Sequence, residues 1–114
     1  MLQISLSERR LTRILDWIAA NASNTVTLRD ACVELGMSPS TAQRALRAAG
    51  LDFRNAVSLS RLENAERLLR QEPTLKVEAL SLSAGWRSRR SLYVNVQRTR
   101  GCSVAEWRQQ ILNQ

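Results

Sequence analysis

The chain has no histidine, and cysteine occurs only at Cys32 and Cys102. Two isolated thiols without histidine make no metal-ligand set and no disulfide framework, so reduced structural thiols are expected and no metal or cofactor is implied. No apolar run approaches the ~20 residues of a membrane span, and Met1–Ser7 holds no long apolar segment. A cytoplasmic protein with no membrane partner is expected. The furniture of catalysis is missing as well. There is no paired carboxylate in an evident cleft, no glycine loop to cradle a phosphate and no context that would activate either thiol, so enzyme chemistry ranks last.

Lysine is nearly absent too. Of 17 basic residues all but Lys76 are arginine, against ten acidic residues and a net charge of +7. The planar fork of arginine matches phosphate and guanine edges. The excess is uneven: residues 1–75 carry ten basic and eight acidic groups, and residues 76–114 carry seven and two. The C-terminal part is therefore expected to be the more basic surface. A chain of 114 residues fits one domain or two very small lobes sharing a helix.

The stretch Asp52–Gln71 reads as that shared helix. Val57, Arg61, Leu62, Ala65, Leu68 and Leu69 recur at three- and four-residue steps, Glu63, Asn64, Glu66, Arg67 and Arg70 fill most of the opposite face, and Pro73 stops it. A helix of about 20 residues is about 30 Å long, close to the ~34 Å of one DNA turn. The expected division is a lobe over 1–51, a linker helix over 52–72 and a second lobe over 73–114.

Ser5 with Glu8, or Ser7 in competition, caps a first amphipathic helix through Leu11, Ile14, Leu15, Ile18 and Ala19, with Trp17 beside the stripe as a packing residue. Thr27 and Asp30 form a capping pair ahead of Leu28, Ala31, Cys32 and Leu35, and Gly36 ends that helix. Ser38-Pro39 starts the next, with Ala42, Ala45, Leu46 and Ala49 inward as far as Gly50. Two short helices joined by a glycine turn are the sequence form of a helix-turn-helix. Ser40, Gln43, Arg44 and Arg47 share the other face, where they can read bases or form an ordinary solvated surface.

The pattern then repeats. Val77, Leu80, Ser81, Ala84 and Gly85 follow Leu28, Ala31, Cys32, Leu35 and Gly36 by 49 positions, while Ser88, Leu92 and Val96 follow Ser38, Ala42 and Leu46 by 50. The second turn is thus one residue longer. Its outer helix face is Arg89, Arg90, Tyr93, Val94 and Gln97, flanked by Arg87, Arg98 and Arg100, whose long cations reach phosphates. Beyond Gly101, Ser103 and Glu106 start a last helix with Val104, Trp107, Ile111 and Leu112 as its stripe.

From Leu11 to Arg108 these residues resemble the DNA-binding domain of the AraC/XylS family of bacterial transcription regulators. The carriers are Arg61–Leu69 as linker-helix pattern, then Gly85-Trp86, Ser88–Gly101 and Ser103–Arg108 as C-terminal signature. Val94, Val104, Leu92 and Val96 depart from the family's usual residues at their positions. The resemblance implies an all-α, bilobed domain of about seven helices. Each recognition helix would enter one of two successive major grooves. The short stand-alone members, of the MarA and SoxS kind, act as monomers and recruit RNA polymerase. Carried over by position, Ser40, Gln43 and Arg44 would face bases in the first lobe, and Arg89, Arg90 and Tyr93 in the second.

Double-stranded DNA is therefore the expected partner, with RNA polymerase a further candidate. Arg47 joins the base-reading set, and Ser38, Arg87, Ser88, Gln97, Arg98 and Arg100 are expected at phosphates. Arg61, mid-helix on the inward-leaning side, is expected to tie the lobes together through a buried ion pair with Glu66, Asp16 or Asp30 rather than to touch DNA. The competing reading is a helical protein-interaction adaptor of the transcription machinery with weak or nonspecific DNA binding.

Overall fold

A computed structural model describes residues 4–114. Among them lie seven helices and no strand: α1 (Leu6–Asn21), α2 (Leu28–Leu35), α3 (Pro39–Ala48), α4 (Phe53–Gln71), α5 (Val77–Ala84), α6 (Arg89–Arg100) and α7 (Val104–Leu112). The chain divides into compact units at residues 1–57 and 58–114, so α4 begins in the first and ends in the second.

In the first unit each helix start has a local cause. The Glu8 amide donates to Ser5 Oγ at 3.1 Å, which leaves Ser7 inside α1. Thr27 and Asp30 close a full capping box, each side chain accepting the other's backbone N–H at 3.0–3.1 Å. Ser38 Oγ accepts the Thr41 amide at 3.2 Å with Pro39 at the first helical position, and Asp52 Oδ1 accepts the Asn55 amide at 2.7 Å to start α4. Between α2 and α3 the chain reverses at Gly36, where φ is +63°. Glycine reaches this left-handed region without the clash a Cβ brings.

Ile14, Ile18, Ala31, Ala42, Ala45, Leu46 and Val57 form the buried centre of this unit. Trp17 is buried against it, its ring centroid 6.4 Å from that of Phe53, and its indole N–H donates to Glu34. Ala49, expected inward, is exposed: it is the C-cap of α3, where the chain leaves the helix and the 3.6-residue period no longer sets direction.

The second unit has a bulkier core of Leu62, Leu69, Leu80, Trp86, Leu92, Val96, Trp107 and Ile111. Leu112, expected in the α7 stripe, is exposed at the last turn. A larger departure lies on α4, whose Asn64 and Glu66 belong to the expected polar face yet are buried. Glu66 finds its partners on α6 and α7. Its Oε2 accepts Arg100 Nε at 3.1 Å and the Trp107 indole N–H at 2.9 Å, and its Oε1 accepts Arg100 Nη2 at 3.0 Å. One carboxylate thereby joins α4, α6 and α7. The hydrogen bond to Glu66 is the main cause that raises the Arg100 pKa above the usual guanidinium value, against the opposing effect of burial.

Removing that carboxylate leaves the buried Trp107 N–H without its acceptor. Glu66→Ala is expected to lower unfolding free energy by about 2–4 kcal/mol in urea titrations. Glu66→Gln should cost only about 1–2 kcal/mol, because an amide oxygen still accepts from the indole. Equal losses in the two variants would place the stabilisation in the Arg100 ion pair.

Candidate nucleic-acid interface

The two helix-turn-helix units differ in the turn. Residues 36–38 connect α2 to α3, and residues 85–88 connect α5 to α6, one residue more, as the shift in repeat offset requires. Gly85 takes φ +119° at the start of the longer turn. Trp86 inserts into the core of the second unit and Arg87 is left exposed. The buried Ser81 hydroxyl donates to the Ser88 carbonyl at 2.6 Å, which ties the body of α5 to the start of α6.

On α3, Ala42, Ala45 and Leu46 are buried, and the periodicity turns Ser40, Gln43, Arg44 and Arg47 to solvent together. Ser38 is exposed, with its hydroxyl 2.9 Å from Thr41 Oγ1. On α6, Leu92, Asn95 and Val96 are buried, while Arg89, Arg90, Tyr93, Val94 and Gln97 are exposed. Tyr93 and Val94 are 46% and 48% accessible, large for apolar side chains on a helix that packs its other face. Ser88 is the exposed N-cap of α6, without a side-chain cap bond.

The expected flanking cations fare differently. Arg98 is exposed, its Nη2 donating to Asn95 Oδ1 at 2.7 Å. Arg100, expected at a phosphate, has its guanidinium engaged side-on by Glu66. Arg61 is half-buried, and loss of hydration pulls its pKa below the usual guanidinium value. Burial likewise pushes the Cys32 thiol pKa up, which disfavours the reactive thiolate. Among the described residues no group of His, Cys, Asp or Glu is placed to hold a metal, and no helix is long and apolar enough to cross a membrane.

Asn95 was not legible from the sequence. It follows the inward Ala45 by 50 positions, so the repeat gives its place, but an asparagine in an arginine-rich helix carries no sign of burial. Its Nδ2 donates to the Ser91 carbonyl at 2.7 Å while Oδ1 holds Arg98. Charge is partitioned in the same sense. All ten acidic residues of the chain lie outside α3 and α6, which between them carry six arginines.

A family model described as a helix-turn-helix domain matches residues 31–110. The chain belongs to this AraC-type helix-turn-helix family. As a member it is a DNA-binding domain of a transcription regulator, and the family is not an enzymatic one. Among solved structures, the AraC-type fold is shared with a DNA-binding transcriptional dual regulator from Escherichia coli K-12. The two are 21% identical with a TM-score of 0.80, over 100% of this chain and 98% of that one. The C-terminal domain of AraT, a response regulator from Geobacillus stearothermophilus, is 20% identical with a TM-score of 0.78, over 93% and 88% of the respective chains. No curated protein matches in sequence.

Within this AraC-type domain the Asn95 side chain bonds only inside α6, to the Ser91 carbonyl and to Arg98. Asn95→Ala recreates the residue of the first repeat and strands no buried partner, because Ser91 O remains in the helix ladder and Arg98 can turn to water. Stability should stay within about 1 kcal/mol of the parent by chemical denaturation, and a larger loss would make the amide a core determinant.

Proposed function

We propose that this domain is a sequence-specific transcription regulator that binds DNA as a monomer. Each unit would place the second helix of its pair in a major groove of one duplex. The observation that carries the reading is the exclusion of acidic residues from α3 and α6, whose solvent faces hold arginine, glutamine, serine and tyrosine. A helix facing a polyanion cannot bear carboxylates there without repulsion, while Gln and Arg can pair bidentately with adenine and guanine. Ser40, Gln43, Arg44 and Arg47 are assigned to bases in the first unit, and Arg89, Arg90 and Tyr93 in the second. Ser38, Arg87, Ser88, Gln97 and Arg98 are assigned to phosphates, with Arg100 reassigned to holding Glu66. Contact with bacterial RNA polymerase in the cytoplasm is the proposed route from binding to activation.

Selection of retained sequences from a random duplex library at near-physiological salt tests the reading. Two unlike motifs centred about 10 base pairs apart are expected. One motif would restrict base reading to one unit, and no enrichment would favour a helical adaptor instead. On the selected duplex Arg44→Ala should cost about 1–3 kcal/mol at the base it reads, while Arg98→Ala should weaken all sequences alike and lower the salt slope by about one unit. A sequence-selective loss at Arg98 would contradict its phosphate role.

Arg61 is assigned to structure rather than DNA, on the strength of its half-buried, desolvated guanidinium. Arg61→Ala should lower the thermal midpoint, and an unchanged midpoint would remove that role.

A further inference from the structure

The sequence places the basic surface in the C-terminal part, yet the fold gathers a second cluster in the first unit. Arg9, Arg10 and Arg13 of α1 line an open groove of about 410 Å³ together with Gly36, Ser38 and Thr41 at the turn and first residues of α3. No acidic residue lines it. Arg13 is pinned to the turn by its hydrogen bond to the Leu35 carbonyl at 2.8 Å. Arg9 is exposed and Arg10 half-buried, and among the described residues neither side chain forms an ion pair or hydrogen bond. Three arginines and no carboxylate line the groove, so an anion there meets positive charge without an acidic competitor.

Thr41 lies about 100° around the α3 axis from Ser40, so this groove flanks the face that carries Ser40, Gln43, Arg44 and Arg47. An α-helix with its side chains is about 10–12 Å across and a DNA major groove is about 12 Å wide. A helix that presents one face to the bases therefore turns its flanks to the two sugar-phosphate strands. We infer that the groove between α1 and the start of α3 is a phosphodiester site, in which Arg9 and Arg10 grip the DNA backbone beside the first recognition helix. The inference rests on the functional reading above and assigns α1, the first helix of the unit, a direct part in binding. Ser38 and Thr41 supply hydroxyls at the same edge, and the guanidinium fork matches the two free oxygens of a phosphodiester.

The test is the salt dependence of affinity for the selected duplex and for a scrambled one, measured for wild type and for Arg9→Ala/Arg10→Ala. Arg13 is left in place because it holds the turn. Loss of two phosphate contacts should reduce the slope of log K against log salt by about two units on both duplexes. The ratio of the two affinities should not change. Arg9→Lys/Arg10→Lys should keep the slope, since counterion release counts charges. Arg9→Gln/Arg10→Gln replaces the alanine pair if that pair lowers the thermal midpoint. An unchanged slope in a folded neutral variant overturns the inference, as does a loss confined to the selected duplex, which would mean base contact. Wild-type protein that retains neither duplex would instead overturn the functional reading itself.

Discussion

A helix of eight residues has no stability of its own in water, because the cost of nucleation is not recovered over so few hydrogen bonds. Both α2 and α5 are of that length, and each must exist for the helix after it to be aimed. The two units meet this constraint differently. α2 carries a reciprocal capping box at Thr27 and Asp30, whereas α5 starts at Lys76 with no side-chain cap. What α5 has instead is burial of Leu80, Ser81 and Ala84 and a side-chain bond from Ser81 into the start of α6. Local capping and tertiary anchoring thus substitute for one another in two copies of one motif.

The same divergence runs through the cores. The first is rich in alanine, at positions 22, 31, 42, 45 and 56, and the second is filled by leucine and two tryptophans. In each unit a buried indole N–H still finds a carboxylate, Trp17 with Glu34 and Trp107 with Glu66. An indole is a donor only, so a core that buries its N–H must also provide an acceptor near the edge of the ring. Glu66 supplies this from a helix that composition alone describes as amphipathic.

Most of the helical frame was legible because it follows from local rules. Caps at Ser5, Thr27, Ser38 and Ser103, glycines at 36 and 85, and stripes of period 3.6 specify where helices start, stop and face inward. The exposed faces of α3 and α6 follow from the same periodicity. What was not legible depends on distant parts of the chain. Glu66 meets its partners 34 and 41 residues away, and no local pattern tells a buried carboxylate from a solvated one. The bond of Arg100 to Glu66 was hidden for the same reason. Ala49 and Leu112 lie at helix ends, where the period ceases to constrain direction. The arginines of α1 disappear in a charge balance taken over 75 residues, and only the fold brings them to the edge of α3.

Trp17 is the one tryptophan of the first unit, and Trp86 and Trp107 belong to the second. All three are shielded from water in the folded chain, and Trp17 and Trp107 each sit against a carboxylate. Indole emission moves to the red when the ring becomes hydrated. Each half of the molecule therefore carries its own intrinsic reporter, and replacing the tryptophans of one half by phenylalanine would leave emission that follows loosening of the other repeat alone.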